Sequence, residues 1–160
     1  MNLLKTLLFT VLVPGSVTII LPYLLLNSRL PPLTINLGPA RFLGWGPIVS
    51  GAIIYLWCAW DFAAAGQGTP LPADPPKMLV AAGLYRRVRN PMYMGVLQLI
   101  LGQAILFGSL LLLGYGALLW LAFHLFIIYY EEPTLKRLFG PAYEQYRAEV
   151  PRWLPQLKLK

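Results

Sequence analysis

The sequence is short of charge. Lys, Arg, Asp and Glu make up 12% of the 160 residues, while 58% of the chain is hydrophobic, so no soluble globular surface can be assembled from it. The single cysteine, Cys58, excludes an intrachain disulfide and a cysteine metal cluster, and redox or zinc chemistry gains no support. The strict apolar/polar alternation of membrane β-strands is missing too, which leaves helices as the means of crossing a bilayer. The net charge of +7 comes without any recognisable nucleic-acid-binding motif. Its cations stand beside apolar blocks, where they mark the cytoplasmic side of a membrane.

What the chain has is apolar length, in blocks close to or beyond the roughly 20 residues that cross a hydrocarbon core as a helix. The first runs over about 3–26 and is expected to be a retained transmembrane helix, because it outlasts the apolar core of a cleaved leader. Pro14-Gly15 and Pro22 should kink it. A Pro- and Gly-rich connection, 27–40, leads to a second span over 41–65, with Trp57 and Trp60 suited to the interface and Asp61 near the exit to water. Gly66, Gly68, Pro70, Pro72, Pro75 and Pro76 then impose a stiff, extended loop. Residues 92–130 contain no Asp, Glu, Lys or Arg. They predict two helices joined by a tight turn near Gly108-Ser109 or Gly114. Beyond Pro133 the pattern is amphipathic, is broken at Gly140-Pro141, and suits the membrane surface.

The expected fold is therefore an all-α integral membrane protein of one domain, 1–160. It has about four transmembrane helices, the last two a hairpin, with a cytoplasmic loop and a C-terminal amphipathic helix. Four spans put Lys5, Lys77, Arg86, Arg87, Arg89, Lys136, Arg137, Arg147, Arg152, Lys158 and Lys160 on one side and only Arg29 and Arg41 on the other. The amino terminus, the 66–90 loop and the carboxyl terminus should then be cytoplasmic.

On that face two polar clusters bracket the hairpin. The first is Arg86-Arg87-Val88-Arg89-Asn90-Pro91-Met92-Tyr93 and the second Glu131-Glu132-Pro133. If the segment is helical, Arg86 and Arg89 are a turn apart and suit a phosphate or carboxylate; alternatively all three arginines are topology signals among lipid phosphates. Proline after Asn90 suits a polar turn that opens a helix. The two glutamates are costly at a membrane boundary unless hydrated or paired. At a helix carboxyl end they also oppose the helix dipole, so Lys136, Arg137 or a cationic ligand should offset Glu132. His124, two turns before Glu131, is a candidate proton acceptor or an interhelical hydrogen-bonding group. Gln98 and Gln103 read as hydrogen-bonding groups facing the bundle, and Tyr143, Tyr146 and Val150 as a packing face of the terminal helix.

These residues also carry a resemblance. The run Lys77-Met78-Leu79-Val80, then Gly83-Leu84-Tyr85, Arg89-Asn90-Pro91-Met92-Tyr93-Met94-Gly95, and finally Glu131-Glu132, Leu135, Phe139-Gly140, Tyr143, Tyr146 and Val150-Pro151-Arg152 resembles the isoprenylcysteine carboxyl methyltransferases and the related phospholipid methyltransferases. It covers about residues 66–155, downstream of the two generic spans in 1–65. The resemblance implies an enzyme that binds S-adenosylmethionine on the cytoplasmic side and methylates a lipid or lipidated small-molecule acceptor. It implies a cofactor pocket of Lys77, Met78, Leu79, Val80, Tyr85, Asn90, Pro91, Met92, Tyr93 and Glu131, with Glu131 on the ammonium group; Arg89 is a further candidate. Glu132 and His124 are the candidates for a catalytic base. Asn90 stands where many family members have His. Ile127 stands where eukaryotic members place an arginine for the substrate carboxylate. Two other classes stand beside it: a nicotinamide-dependent membrane reductase of the sterol-reductase type, whose nucleotide phosphate the three arginines suit although the chain lacks the additional spans of those enzymes, and a non-enzymatic scaffold.

Overall fold

Proline, glycine and a few long-range hydrogen bonds decide how the apolar runs divide and pack. The computed structural model describes residues 13–31, 33–64, 79 and 81–154. Among them it is helical apart from turns and one isolated bridge, Thr34 with Ser109. Helix α1 is Val13–Leu26. A 3-10 segment, Gly38–Gly44, leads into α2, Trp45–Ala64. Next come a 3-10 turn, Gly83–Arg86, and α3, Pro91–Phe107. Helix α4, Leu110–Phe126, passes through a π-helical turn, Ile127–Glu131, into α5, Glu132–Phe139; α6 is Pro141–Glu149.

Two helical stretches are long and apolar enough to cross a membrane, Gly38–Asp61 with 24 residues and Leu110–Phe139 with 30. Val13–Leu26 and Pro91–Phe107 are shorter apolar helices. The most apolar windows of the two long stretches are only 22% and 11% buried. A soluble protein hides such helices in its core; here Leu56, Leu118 and Tyr129 face outward, an apolar surface suited to lipid.

Helix α2 and the 3-10 segment before it are in intimate contact with α3 because Gly44 and Gly51 meet Gly102 and Gly95, seven residues apart on each side. A Cβ added to Gly51 would stand 2.6 Å from the Gly95 carbonyl, and one on Gly44 would collide with the Gly102 carbonyl. Small residues thus let the backbones touch, the usual route to tight packing where lipid replaces water. All four apolar helices contribute to the buried centre. Tyr55 and Ala59 of α2 pack with Val96 of α3, flanked by Val17, Met92, Leu119 and Phe123.

The hairpin turn falls at Gly108-Ser109, and Gly114 lies inside α4. Gly108 takes the left-handed conformation (φ 60°) that ends α3, and Ser109 caps α4 by accepting the Leu112 N–H. The preceding loop pins this turn: Ile35 N–H donates to Gly108 O at 2.7 Å and Leu110 N–H to Leu33 O at 2.8 Å.

Pro22 loosens α1, as its missing N–H predicts. Residues Ser16–Ile20 wind as a π-helix, and two carbonyls in that turn are met from outside. Tyr115 Oη donates to Val17 O and Gln103 Nε2 to Thr18 O, both at 2.9 Å. Gln98 accepts from Ser50 Oγ at 2.8 Å. Both glutamines therefore face neighbouring helices.

Candidate functional site

The two polar clusters meet at one end of the bundle, together with the C-terminal segment. Arg86 and Arg87 end the short 3-10 turn and are exposed, whereas Arg89 and Asn90 lie beyond it at the mouth of α3. Arg86 and Arg89 therefore do not share a continuous helix. Pro91 begins α3, where its lack of an N–H is harmless. The Asn90 amide is freed from capping and reaches the C-terminal segment, with Nδ2 donating to Arg152 O at 3.1 Å. Arg89 N–H donates to Pro151 O at 2.9 Å, and Tyr146 Oη to Tyr85 O at 2.7 Å. Tyr143, Val150 and Asn90 are all buried in this contact.

Glu131 and Glu132 are neighbours with different surroundings. The α4 helix does not end at them but continues to Phe139, so Glu132 occupies the first turn of α5. There the dipole no longer opposes it. Its cationic partners are also not Lys136 and Arg137. Arg89 Nη1 donates to Glu132 Oε1 at 2.9 Å, while Arg152 approaches with two donors, Nε to Oε1 at 2.8 Å and Nη2 to Oε2 at 3.0 Å. The paired geometry of Arg152 is the strong, orienting kind. Glu132 and Arg89 side chains are each only 11% exposed. Lys136 instead pairs with Glu144 at 2.6 Å, joining α5 to α6 and holding the Glu144 carboxyl below its usual range.

Glu131 accepts one hydrogen bond, from Tyr93 Oη to Oε2 at 3.0 Å. Among the described residues no Lys, Arg or His lies within ion-pair distance of it. Tyr93 is held in turn by the Phe123 ring, 4.6 Å away. A carboxylate withdrawn from water with a single neutral donor calls for a cation, and an ammonium group fits that demand. Glu131, Glu132, Arg89 and Asn90 line a cavity of about 30 Å³, closed by Tyr143 and Tyr146. Burial holds the phenols of Tyr85, Tyr143 and Tyr146 above their ordinary value. All three therefore keep their protons.

Of the residues expected to form the cofactor pocket, the structure brings Asn90, Pro91, Tyr93 and Glu131 together around the α3 entrance, with Tyr85 joined to them through Tyr146. Met92 packs against the buried centre instead. Leu79 is half-buried; Lys77, Met78 and Val80 lie outside the described residues. His124 stands apart from the glutamates: its Nδ1 accepts from Trp153 Nε1 at 3.1 Å, and Trp120 stacks on its ring. Ile127 is fully buried under the site. The sequence reading missed Arg152 as the partner of Glu132. The only signal for it was its place in the terminal motif. Asp61, read only as lying near the exit to water, has its carboxylate against Gly83.

A helical, lipid-compatible bundle with a buried, ion-paired carboxylate at one end is that of a membrane protein with a polar site built into an otherwise apolar body. The comparisons narrow it. The chain belongs to the phospholipid methyltransferase family, whose profile matches residues 39–142, more than half of its length. It is also 39% identical over 79 residues to the protein-S-isoprenylcysteine O-methyltransferase of Schizosaccharomyces pombe, a stretch covering 49% of this chain and 33% of that protein. The chain thus matches about a third of the curated relative's length. Both matches are to methyltransferases, and neither favours the reductase or scaffold reading.

Proposed function

We propose that this protein transfers a methyl group from S-adenosylmethionine to a lipid or lipidated acceptor within the membrane. The observation that carries this reading is Glu131, a half-buried carboxylate without a cation in ion-pair contact among the described residues, in a family of methyltransferases. Glu131 holds the ammonium of the donor, and Tyr93 fixes the carboxylate that does so. Asn90 and Tyr85 belong to the same pocket, together with Lys77, Met78, Leu79, Val80, Pro91 and Met92. When bound, the donor supplies an electrophilic methyl group on a sulfonium. The chain's own contribution is to hold donor and acceptor in line and to exclude water.

Glu132 serves as a positioning residue in this scheme. Both its oxygens are engaged by guanidinium groups, which makes it a clamp. The clamp closes the 150–153 segment over the Arg89-Asn90 turn. His124 accepts the Trp153 N–H on Nδ1, so its neutral ring carries its proton on Nε2 and offers no free lone pair to the proton of an amine acceptor. With Ile127 in place of an arginine, a carboxylate acceptor finds no cation at that position. An acceptor that enters from the lipid through its apolar tail, as in the isoprenylcysteine class, still suits the exposed apolar helices.

In the membrane α1 to α4 form four spans, with the amino terminus, the site and the carboxyl terminus in the cytoplasm, where Arg86 and Arg87 meet lipid headgroups. Calorimetry on detergent-purified protein tests the pocket. S-adenosylhomocysteine should bind the wild type and not Glu131→Ala, and full binding by that variant would refute the assignment.

A further inference from the structure

At the end of the bundle far from the glutamates, a cation stands in a cleft with no acid to balance it. From Leu110 to Glu131 the chain is continuously helical and rises about 30 Å at roughly 1.5 Å per residue. That matches the ~30 Å of a hydrocarbon core, so the Gly108-Ser109 turn lies at the membrane interface opposite the Glu131 site. A cleft of about 540 Å³ opens there between the 34–42 loop and the turn. Its walls are pinned by the hydrogen bonds from Ile35 N–H to Gly108 O and from Leu110 N–H to Leu33 O. Arg41 is the single charged residue lining it. The guanidinium lies over the Phe42 ring, 4.9 Å from its centroid, and no carboxylate among the described residues pairs with it. Asp61 lies beside Gly83 at the other end, and the remaining described acids follow Tyr130 in the chain. Asn36 and Thr34 share the lining. Asn36 Oδ1 accepts the Gly38 N–H at 3.0 Å, which commits the acceptor half of that amide and leaves its Nδ2 donors for something else.

We propose that this cleft holds the headgroup of an anionic phospholipid from the leaflet opposite the Glu131 site, with Arg41, Asn36 and Thr34 donating to its phosphate. The donor set carries the choice of ligand. A guanidinium, an amide and a hydroxyl with no carboxylate among them suit an anion whose oxygens only accept. A headgroup that adds a cation, such as choline, finds no acid in the cleft to receive it, so a headgroup with net negative charge is preferred. The apolar lining separates a lipid from a free phosphate. Ile35, Leu37, Phe42 and Phe107 are all exposed and line the same cleft; the ester region and upper acyl chains of a lipid would cover them, whereas a free phosphate would leave them wet. The volume falls within the roughly 300–1,000 Å³ of small-ligand clefts. A lipid seated there bridges the loop that leads into α2 and the turn that joins α3 to α4, and so braces the bundle from the far interface. The inference stands independently of the methyl-donor reading, because no residue is shared between the two sites.

The test is titration of the detergent-purified full chain with phosphatidylglycerol, phosphatidylcholine or inorganic phosphate, read by native mass spectrometry. All proteins carry Arg86→Gln and Arg87→Gln, which removes the exposed cations of the other interface. This parent should bind the first phosphatidylglycerol about tenfold or more tightly than phosphatidylcholine or inorganic phosphate, the scale of one charged hydrogen bond. Adding Arg41→Gln should weaken phosphatidylglycerol by about tenfold or more and leave phosphatidylcholine within about twofold. Adding Asn36→Asp instead keeps the acceptor for Gly38 N–H and places a negative charge in the cleft, and it should cost phosphatidylglycerol at least as much. Unchanged phosphatidylglycerol affinity in Arg41→Gln would overturn the proposal. Equal affinity of the parent for the two lipids would do the same, and so would inorganic phosphate bound as tightly as phosphatidylglycerol, which would make the cleft a site for free phosphate. If Arg41→Gln fails to fold, as thermal melting without lipid would reveal, Asn36→Asp decides the matter: retained affinity in it overturns the proposal.

Discussion

Glu131 and Glu132 are adjacent in sequence and opposite in circumstance. Glu132 lies between two guanidinium groups; Glu131 has only the Tyr93 hydroxyl. Their variants should therefore fail differently. Glu132→Ala strands two cations, Arg89 nearly buried beside it, and should lower stability by about 3–5 kcal/mol, measured as denaturation in detergent. Glu131→Gln breaks no ion pair among the described residues, so its melting temperature should stay close to wild type while S-adenosylhomocysteine binding falls by tenfold or more. Similar melting losses in the two variants would contradict this division. Tyr93→Phe should weaken the same binding only severalfold, because a single neutral donor to the carboxylate is lost. At this scale the sequence signalled that the glutamates needed cations but pointed to the wrong ones. Lys136 and Arg137 are near in the chain, whereas Arg89 and Arg152 reach Glu132 only through the folded hairpin and the returning C-terminal segment.

Prolines shape the helices at two comparable places. The π turns Ser16–Ile20 and Ile127–Glu131 each end two residues before a proline, Pro22 and Pro133. A proline cannot donate to the preceding turn, and the helix accommodates the gap by widening. At the second place this accommodation sets the direction of Glu131. Pro133→Ala should allow an α-helical register that rotates Glu131 by up to about 100°, one residue's turn. Helix content by circular dichroism should persist while ligand binding drops, and unchanged affinity would show that the π turn does not aim the carboxylate. Packing of α2 on α3 depends instead on the glycine pairs. Gly95→Leu forces a side chain into the Gly51 carbonyl and Tyr55, which should expand the bundle and lower its melting temperature by several degrees. The prolines made the loosening of α1 legible from sequence, and Gly108-Ser109 was one of two turns the glycines allowed. The choice between them lies in the loop strand that bonds to Gly108 and Leu110, a contact no local pattern announces. Nor did sequence pattern show that the chain would pass Glu132 as one continuous helix.

Across the whole molecule, apolar runs and scarce charge made an all-helical, lipid-facing chain legible, and the paired motifs made the family legible. The site's closure was not, because it depends on residues 150–153 folding back over the Arg89-Asn90 turn through backbone hydrogen bonds and Arg152. Tyrosine burial adds a condition on stability. Tyr85, Tyr143 and Tyr146 titrate above the ordinary value of 10.0 in the fold. The folded state therefore holds their protons more tightly than the unfolded one, and stability should be steady below that pH and fall as pH rises beyond it. A melting temperature unaffected up to strongly alkaline pH would contradict their protonated roles. The most direct test of the central claim is transfer of a radiolabelled methyl group from S-adenosylmethionine into the lipid and protein fractions of membranes containing the wild type or Glu131→Gln. The account predicts label in a lipid or lipidated product with the wild type and at least tenfold less with the variant; equal labelling by both would contradict it.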